Sequence, residues 1–331
     1  MMKNVLIATL GESPAVVTEA LGVLKNRGIP IHEVVLLTTI DSAAEESLNL
    51  LTEHLSAAGI GVNPVQVEAY KDIDTDEAVM EFMEVTCNQL RDMQKRGWNV
   101  YVSVAGGRKT MSALMALAVQ IYGAKELFHI IVDDPDLEEK SRIEKLRYLR
   151  EEEQEELLHP DISKIKFVSM PFIGLFPWIS DIVKALKGEA TDRKEIKELL
   201  SSNGLIEDNK PTSLGKRFLD ILGRVESMPD PCPEEPEIKL SRKEPKYKED
   251  IEKMANKIKR RFSFVCEIRD ADWRRGEPKV VKVEHPDRIK VYFPSGKGYN
   301  LSLILRTTAK TRGQLEAAKS EVERFMECEK L

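Results

Sequence analysis

Over the first 130 residues, short apolar runs rich in β-branched residues alternate with stretches of helical periodicity, which constrains the fold more than any other feature. "KNVLIATL", "EVVLLTT", "VNPVQVEAY", "WNVYVSVA" and "ELFHIIVDD" read as strands. Helices are predicted from Ser13 to Lys25, from Ser42 to Ala58, around 75–96, and in the apolar "TMSALMALAVQIYGA", closing near Gly123. With "KIKFVSMPF" as a last strand, the order predicts an α/β, doubly wound, mostly parallel sheet over residues 1–178. Ligands of such sheets lie beyond the carboxyl ends of the strands, where helix N-termini point.

The rest of the 331 residues must form further domains. Residues 179–228 hold short helical stretches, a turn at Asn203-Gly204 and "PTSLGKRFLDIL", which predict a winged helix with Thr212–Leu214 as a short strand. The proline-rich "MPDPCPEEPEIKLSRKEPK" predicts a linker over 229–246. Residues 247–331 open with a basic amphipathic helix, continue with "KVVKVEH", "RIKVYFP" and "YNLSLILRTT", and close with a helix, predicting a small α+β domain. The charge-dense 138–161 predicts an exposed insertion with a solvated face.

Charge divides along the same line. Residues 246–331 carry 21 Lys and Arg against 14 Asp and Glu, whereas residues 1–245 carry 29 against 42, so a basic tail follows an acidic body. A polyanionic partner suits the tail. The four cysteines are scattered without CxxC spacing, which predicts neither a zinc knuckle nor a disulfide framework and fits a reducing cytoplasm. No apolar run reaches the roughly 18 residues of a spanning helix, and the first residues lack signal-peptide features, so no membrane partner is expected. His32, His54, His129, His159 and His285 fall in separate predicted elements without HxxxH spacing, so no metal site is predicted.

The loop "SVAGGRKTM" joins a strand to a helix. Gly106 and Gly107 allow close backbone approach, the helix starting near Thr110 adds a positive dipole end, and Arg108 and Lys109 add charge: together, an anion cradle. It lacks the spacing of a P-loop or a dinucleotide fingerprint. At the same sheet edge, "TLGESPAV" and "LTTIDSAAEES" bring hydroxyls to helix starts, suiting a ligand with hydroxyls and phosphates.

"NVLIATLGESPAVVTEAL", "LLTT" and "VSVAGGRKTMSALM" resemble the CRISPR-associated Rossmann-fold (CARF) domains that sense cyclic oligoadenylates. The resemblance implies a homodimer that binds one ring, cyclic tetra-adenylate by preference or hexa-adenylate, as allosteric activator, with no other cofactor. By the same resemblance, Thr9, Leu10, Gly11, Glu12, Ser13, Thr39, Gly106, Gly107, Arg108, Lys109 and Thr110 line the ring, and Ser13 and Lys109 take part in any ring cleavage.

For the output domain, two nuclease signatures fail. Arg27 and His32 match the R-x4-6-H spacing of HEPN ribonucleases, but Gly28 and Pro30 put them in a loop. "PDLEEK" crowds the letters of a PD-(D/E)xK site into one loop. "YNLSLILRTTAKTRGQLEAAKSEVERF" resembles the end of RelE/HigB-type toxins, ribosome-dependent mRNA interferases. That resemblance implies a ribosome and mRNA partnership and metal-independent cleavage by 2′-OH attack, with cations stabilising the phosphorane. Its candidates are Arg306 foremost, then His285, Arg288, Lys290, Lys297, Lys310 and Arg312. Arg260 and Arg261 suit ribosomal RNA contact or a solvated face, and Trp273 with Arg274 and Arg275 suits base stacking or core packing. A DNA-binding transcription regulator that reads DNA through the winged helix, and a ring nuclease with a degenerate tail, stand as alternatives.

Overall fold

The computed structural model describes residues 3–67, 70–241, 245–272, 282–284, 286–294 and 300–328. It divides into two compact units, Met1–Val225 and Glu226–Leu331.

In the first unit, β1 (Asn4–Thr9), α1 (Ala15–Asn26), β2 (Glu33–Thr39), α2 (Ser42–Ala57), β3 (Gly61–Val67), α3 (Asp76–Lys95), β4 (Asn99–Ser103), α4 (Lys109–Tyr122) and β5 (Glu126–Val132) alternate as predicted. Three short helices follow, α5 (Pro135–Lys140), α6 (Ile143–Leu146) and α7 (Glu151–Leu158), then β6 (Ile165–Met170). The sheet order is β3-β2-β1-β4-β5-β6, parallel except for β6, which runs antiparallel to β5. The central strands β1, β2 and β4 are apolar at nearly every position because both of their faces are covered, while β5 and β6 expose residues such as Ile131 and Val168. Leu6 and Ala8 face α1 and α2 with Leu24 and Leu51, while Val5 and Ile7 face α3 and α4 with Phe82 and Met115.

Residues beyond β6 do not make a body of their own. The helices α8 (Ile179–Leu186), α9 (Lys194–Ser202) and α10 (Ser213–Ser227) flank a hairpin of β7 (Ile206–Glu207) and β8 (Lys210–Pro211). Ile182, Leu200 and Leu222 join the same apolar cluster as Phe82 and Met115. Arg224 reaches Glu84 of α3 at 3.1 Å. The expected boundary at 178/179 is therefore corrected: burial of these apolar stripes fuses the segment to the sheet domain. The predicted strand at Thr212–Leu214 is corrected too, since the Thr212 hydroxyl accepts from Gly215 N and starts α10.

The insertion at 138–161 is not merely a solvated face. Leu146 and Leu158 are buried with Ala15 in a small cluster, and the Thr18 hydroxyl donates to the Leu158 carbonyl.

The second unit holds β9 (Glu237–Lys239), α11 (Pro245–Arg261), β10 (Val265–Asp270), β11 (Lys282–Glu284), β12 (Arg288–Pro294), β13 (Asn300–Thr307) and α12 (Arg312–Cys328). The sheet order is β11-β12-β13-β10-β9, antiparallel except for the β9–β10 pair. Ile268, Ile289, Val291 and Leu303 bury one face against Met254 and Ile258 of α11 and Val322 of α12. The expected linker over 229–246 is corrected, because β9 completes this sheet and Cys232 is bonded to Cys266 of β10. That disulfide also corrects the expectation that the cysteines stay unpaired.

Candidate functional site

β1 and β4 are adjacent parallel strands whose following helices lie on opposite faces of the sheet, α1 on one and α4 on the other. The loops that leave them must part there, opening a crevice at the sheet's carboxyl edge. A cavity of about 530 Å³ occupies it, within the range of small-molecule sites. The β1–α1 loop supplies Leu10, Gly11, Glu12 and Ser13, and the β4–α4 loop supplies Gly106, Gly107 and Arg108. Thr39 and Asp41 close one side, and His129 with Arg142 the other.

The glycines do more than admit a ligand. Gly106 has φ +94°, and a Cβ there would overlap Val16 Cγ2 and lie 2.9 Å from the Thr9 carbonyl oxygen. A Cβ on Gly107 would meet Thr9 Cβ at 2.6 Å, and one on Gly11 would meet the Gly106 oxygen at 2.9 Å. These three positions are glycine because two loops must touch, and their contact forms the cavity floor. Thr9 belongs beneath that floor, fully buried, its hydroxyl donating to the Ala105 carbonyl at 3.1 Å.

Helix ends set the electrostatics. The Asp41 carboxylate accepts from Ala44 N at the start of α2, and the Thr75 hydroxyl accepts from Ala78 N at the start of α3. Of the helices that begin at the cavity, α2 is thus capped, whereas α1 after Pro14 and α4 after Arg108 have no side-chain cap. Apart from Val17 N, which turns back to the Pro14 carbonyl at 3.1 Å, the first-turn N–H groups of a helix are donors for which the helix itself has no acceptor.

Around those donors the side-chain charge is mixed. Arg108 is paired with Asp72 at 2.8 Å and faces Asp41 at 4.0 Å, and Arg142 is 3.3 Å from Glu12. Lys109 and Thr110, expected beside the ring, are exposed in the first turn of α4 and are not part of the cavity wall. Glu19, Glu138 and Arg142 of the wall were missed by sequence reading. Glu19 is 2% exposed, its Oε2 has no hydrogen-bond partner, and burial followed by the charge of Glu138 pushes its carboxyl up to about 7. No periodicity marks such a residue, because it sits inside an apolar helix face.

In the second unit, the face of the sheet away from α11 and α12 mixes charged residues with the buried Tyr292 and Lys290. Arg288, Arg306 and Glu267 are direct cross-strand neighbours on β12, β13 and β10. Glu267 is 6% exposed and is met by Arg269 Nε at 2.6 Å, Lys239 Nζ at 2.9 Å and Arg306 Nε at 3.9 Å. Hydrogen bonds from Arg269 and then Lys239 hold its carboxyl down to about 2. Lys290 lies two residues along from Arg288 on the same face, its Nζ 4.8 Å over the Tyr292 ring. The structure thus gathers Arg288, Lys290 and Arg306, adding Arg269 and Lys239, which sequence reading missed. Lys310 stands apart, 3.6 Å from Asp230, and Arg312 is exposed at the start of α12. His285, Lys297, Trp273, Arg274 and Arg275 lie outside the described residues. Arg261 is turned to Glu321 of α12 at 3.6 Å, leaving Arg260 exposed.

The histidines do not all stay apart, contrary to expectation: His54 and His159 meet with ring nitrogens 2.7 Å apart. Among the described residues, no helix is long and apolar enough to cross a membrane.

A curated relative, the CRISPR system ring nuclease SSO2081 of Saccharolobus solfataricus, is 28% identical over 154 residues, covering 44% of this chain and 82% of the relative. Among solved structures, Can2 from Sulfobacillus thermosulfidooxidans in complex with cyclic tetra-adenylate matches at TM-score 0.30 and 13% identity, over 68% of this chain and 65% of that one. Protein VC1899 from Vibrio cholerae matches at 0.32 and 10%, over 93% and 78%. A Type III CRISPR defence DNA nuclease activated by cyclic oligoadenylate matches at 0.32 and 19% over 40% of this chain, which spans only 19% of that nuclease. The family model for CRISPR-associated protein NE0113 matches residues 13–205, more than half of the sequence, and the chain belongs to that family.

Proposed function

We propose that the chain is an ancillary effector of type III CRISPR defence, in which a cyclic oligoadenylate held at the β1/β4 crevice of a homodimer switches on RNA cleavage by residues 226–331. The carrying observation is the pair of uncapped helix N-termini, α1 and α4, opening on one cavity whose floor is loop backbone. Such a site suits the phosphates of a ring, with neighbouring walls for ribose hydroxyls and bases. Arg108 exchanges its carboxylate partners for a phosphate, and a ring spanning two copies is shared across their two-fold axis. The first unit is read as a CARF domain, with Lys109 and Thr110 approaching the ring only in the dimer.

The second unit is read as a divergent RelE-like, metal-independent mRNA interferase acting on the ribosome. Its cationic sheet face supports that reading. The RNA 2′-hydroxyl attacks the adjacent phosphorus and loses its proton, and the 5′-oxygen leaves and gains one, yielding a 2′,3′-cyclic phosphate. Arg306, with Arg288 and Lys290 beside it, stabilises the added negative charge in the transition state.

The same in-line chemistry on the bound ring is a second reading. It is favoured by the relative named as a ring nuclease and by Ser13 in the cavity wall. Glu19, with its carboxyl near 7, is suited to carrying a proton there.

Purified protein is titrated with cyclic tetra- and hexa-adenylate by calorimetry, then added with each ring to a translating extract. One ring per two chains and ring-dependent mRNA cleavage are expected. Uptake of neither ring overturns the sensor, and uptake followed only by ring breakdown, with translation untouched, selects the second reading.

A further inference from the structure

We infer that His54, Glu155 and His159 form a binding site for a divalent transition-metal ion that clips α7 to α2, separate from the ring cavity and independent of how the ring is used. Their ligand atoms all lie within 4.8 Å of one another. His54 Nε2 and His159 Nε2 are 2.7 Å apart, and Glu155 oxygens lie 3.5 Å from His54 Nδ1 and 3.6 Å from His159 Nε2. At that separation the two facing nitrogens cannot both carry a proton, and with each ring protonated at Nδ1 both present a lone pair to an ion. An ion about 2.0–2.1 Å from each nitrogen would set them about 3.3 Å apart in tetrahedral geometry. Parting the nitrogens needs a shift of about 0.6 Å and drawing in a Glu155 oxygen up to about 1.5 Å, open to rings that are 19% and 45% exposed and a carboxylate that is 61% exposed. Two imidazoles, a carboxylate and open positions for water suit Zn²⁺, Co²⁺ or Ni²⁺ rather than the oxygen-seeking Mg²⁺ or Ca²⁺.

The scaffold is built before the ion arrives. Glu155 lies in the last turn of α7 and His159 caps its C-terminus, its N–H donating to the Glu155 carbonyl, while His54 comes from the last turn of α2. The buried Leu158 and the Thr18 hydroxyl bonded to its carbonyl seat α7 on α1, and Arg147, just after α6, grips both Glu46 oxygens of α2 at 2.8 and 2.7 Å, so the segment is already fixed against both helices. At its other end the same segment supplies Glu138, Ser141 and Arg142 to the cavity wall. An ion at the clip therefore restrains a wall of the ring site from a distance.

Chelator-treated full-length protein is titrated with Zn²⁺ against a chromophoric competitor, and with Co²⁺ by its visible absorption. One ion per chain is expected. His159→Ala should weaken Zn²⁺ by more than about 100-fold and Glu155→Gln by about tenfold, while His32→Ala, an exposed histidine outside both the clip and the cavity, leaves Zn²⁺ affinity unchanged. Zn²⁺ should also slow tryptic nicking at Lys140 and Lys145 in the native protein and not in His159→Ala. Equal affinity of native protein and His159→Ala, or loss of the ion in His32→Ala, overturns the site. Binding without protection of the two lysines overturns the clip.

Discussion

Glu19 is a carboxylic acid buried at 2% exposure in the cavity wall with one oxygen unpartnered, and that burial has a pH-dependent cost. Its carboxyl titrates near 7 in the folded chain against an ordinary 4.5. Between those values the unfolded chain releases its proton while the folded chain keeps it, so stability falls as pH rises and the full cost is in place above 7. A shift of that size corresponds to about 3 kcal/mol. Glu19→Gln removes the titration, so the variant should match the native protein's pH trend below about 4.5 and gain on it by up to about 3 kcal/mol by pH 8. Urea midpoints at the two pH values check this, and parallel trends in the two proteins would refute it. Gly106 makes the complementary case. Gly106→Ala must hold φ +94° with a methyl against Val16 and the Thr9 carbonyl, and should cost about 2–4 kcal/mol. Thermal melts should show the loss, together with weaker ring uptake, because the cavity floor would have to part.

At the scale of elements, β9 and the Cys232–Cys266 bond show how a composition argument misleads. Prolines at 229–236 read as a linker, yet three extended residues suffice for a strand when a sheet edge offers them partners, and a pairing across 34 residues leaves no spacing signature. Closing that loop should contribute about 3–4 kcal/mol. Reduction, or Cys232→Ser, should lower the denaturant midpoint of the second unit and speed amide exchange at 237–239; unchanged exchange there would mean that the bond is dispensable. The strands β1 to β5 were legible for the opposite reason: a sheet covered on both faces writes itself as apolar runs. Site loops from strand ends were legible through Gly11, Gly106 and Gly107. The walls were not. Glu19 hides in a helix, and Arg142 arrives from an insertion whose charge masked Leu146 and Leu158. The histidine pair joins helices 105 residues apart in sequence, a convergence only the fold displays.

For the whole molecule, each unit has apolar clusters of its own, with Met115 and Leu24 in the first and Ile268 and Val322 in the second. Binding and cleavage should therefore separate by mutation even if they are coupled in function. Arg306→Ala removes a cation from an exposed strand position and leaves the buried sheet face intact, so ring uptake should stay at the native value. RNA cleavage should fall by about 100- to 1,000-fold, the cost of losing one donor to a developing oxyanion. Arg108→Ala should do the reverse. Ring affinity drops by about 10- to 100-fold through loss of a charged hydrogen bond, and cleavage returns to the native rate once the ring is supplied in excess. Saturating ring distinguishes a sensor from a catalyst, since a sensor defect is overcome by concentration and a catalytic one is not. If Arg306→Ala loses ring uptake, or if Arg108→Ala stays inactive with every site filled, the two activities do not divide between the two units and the assignment of sensing to one and cutting to the other fails.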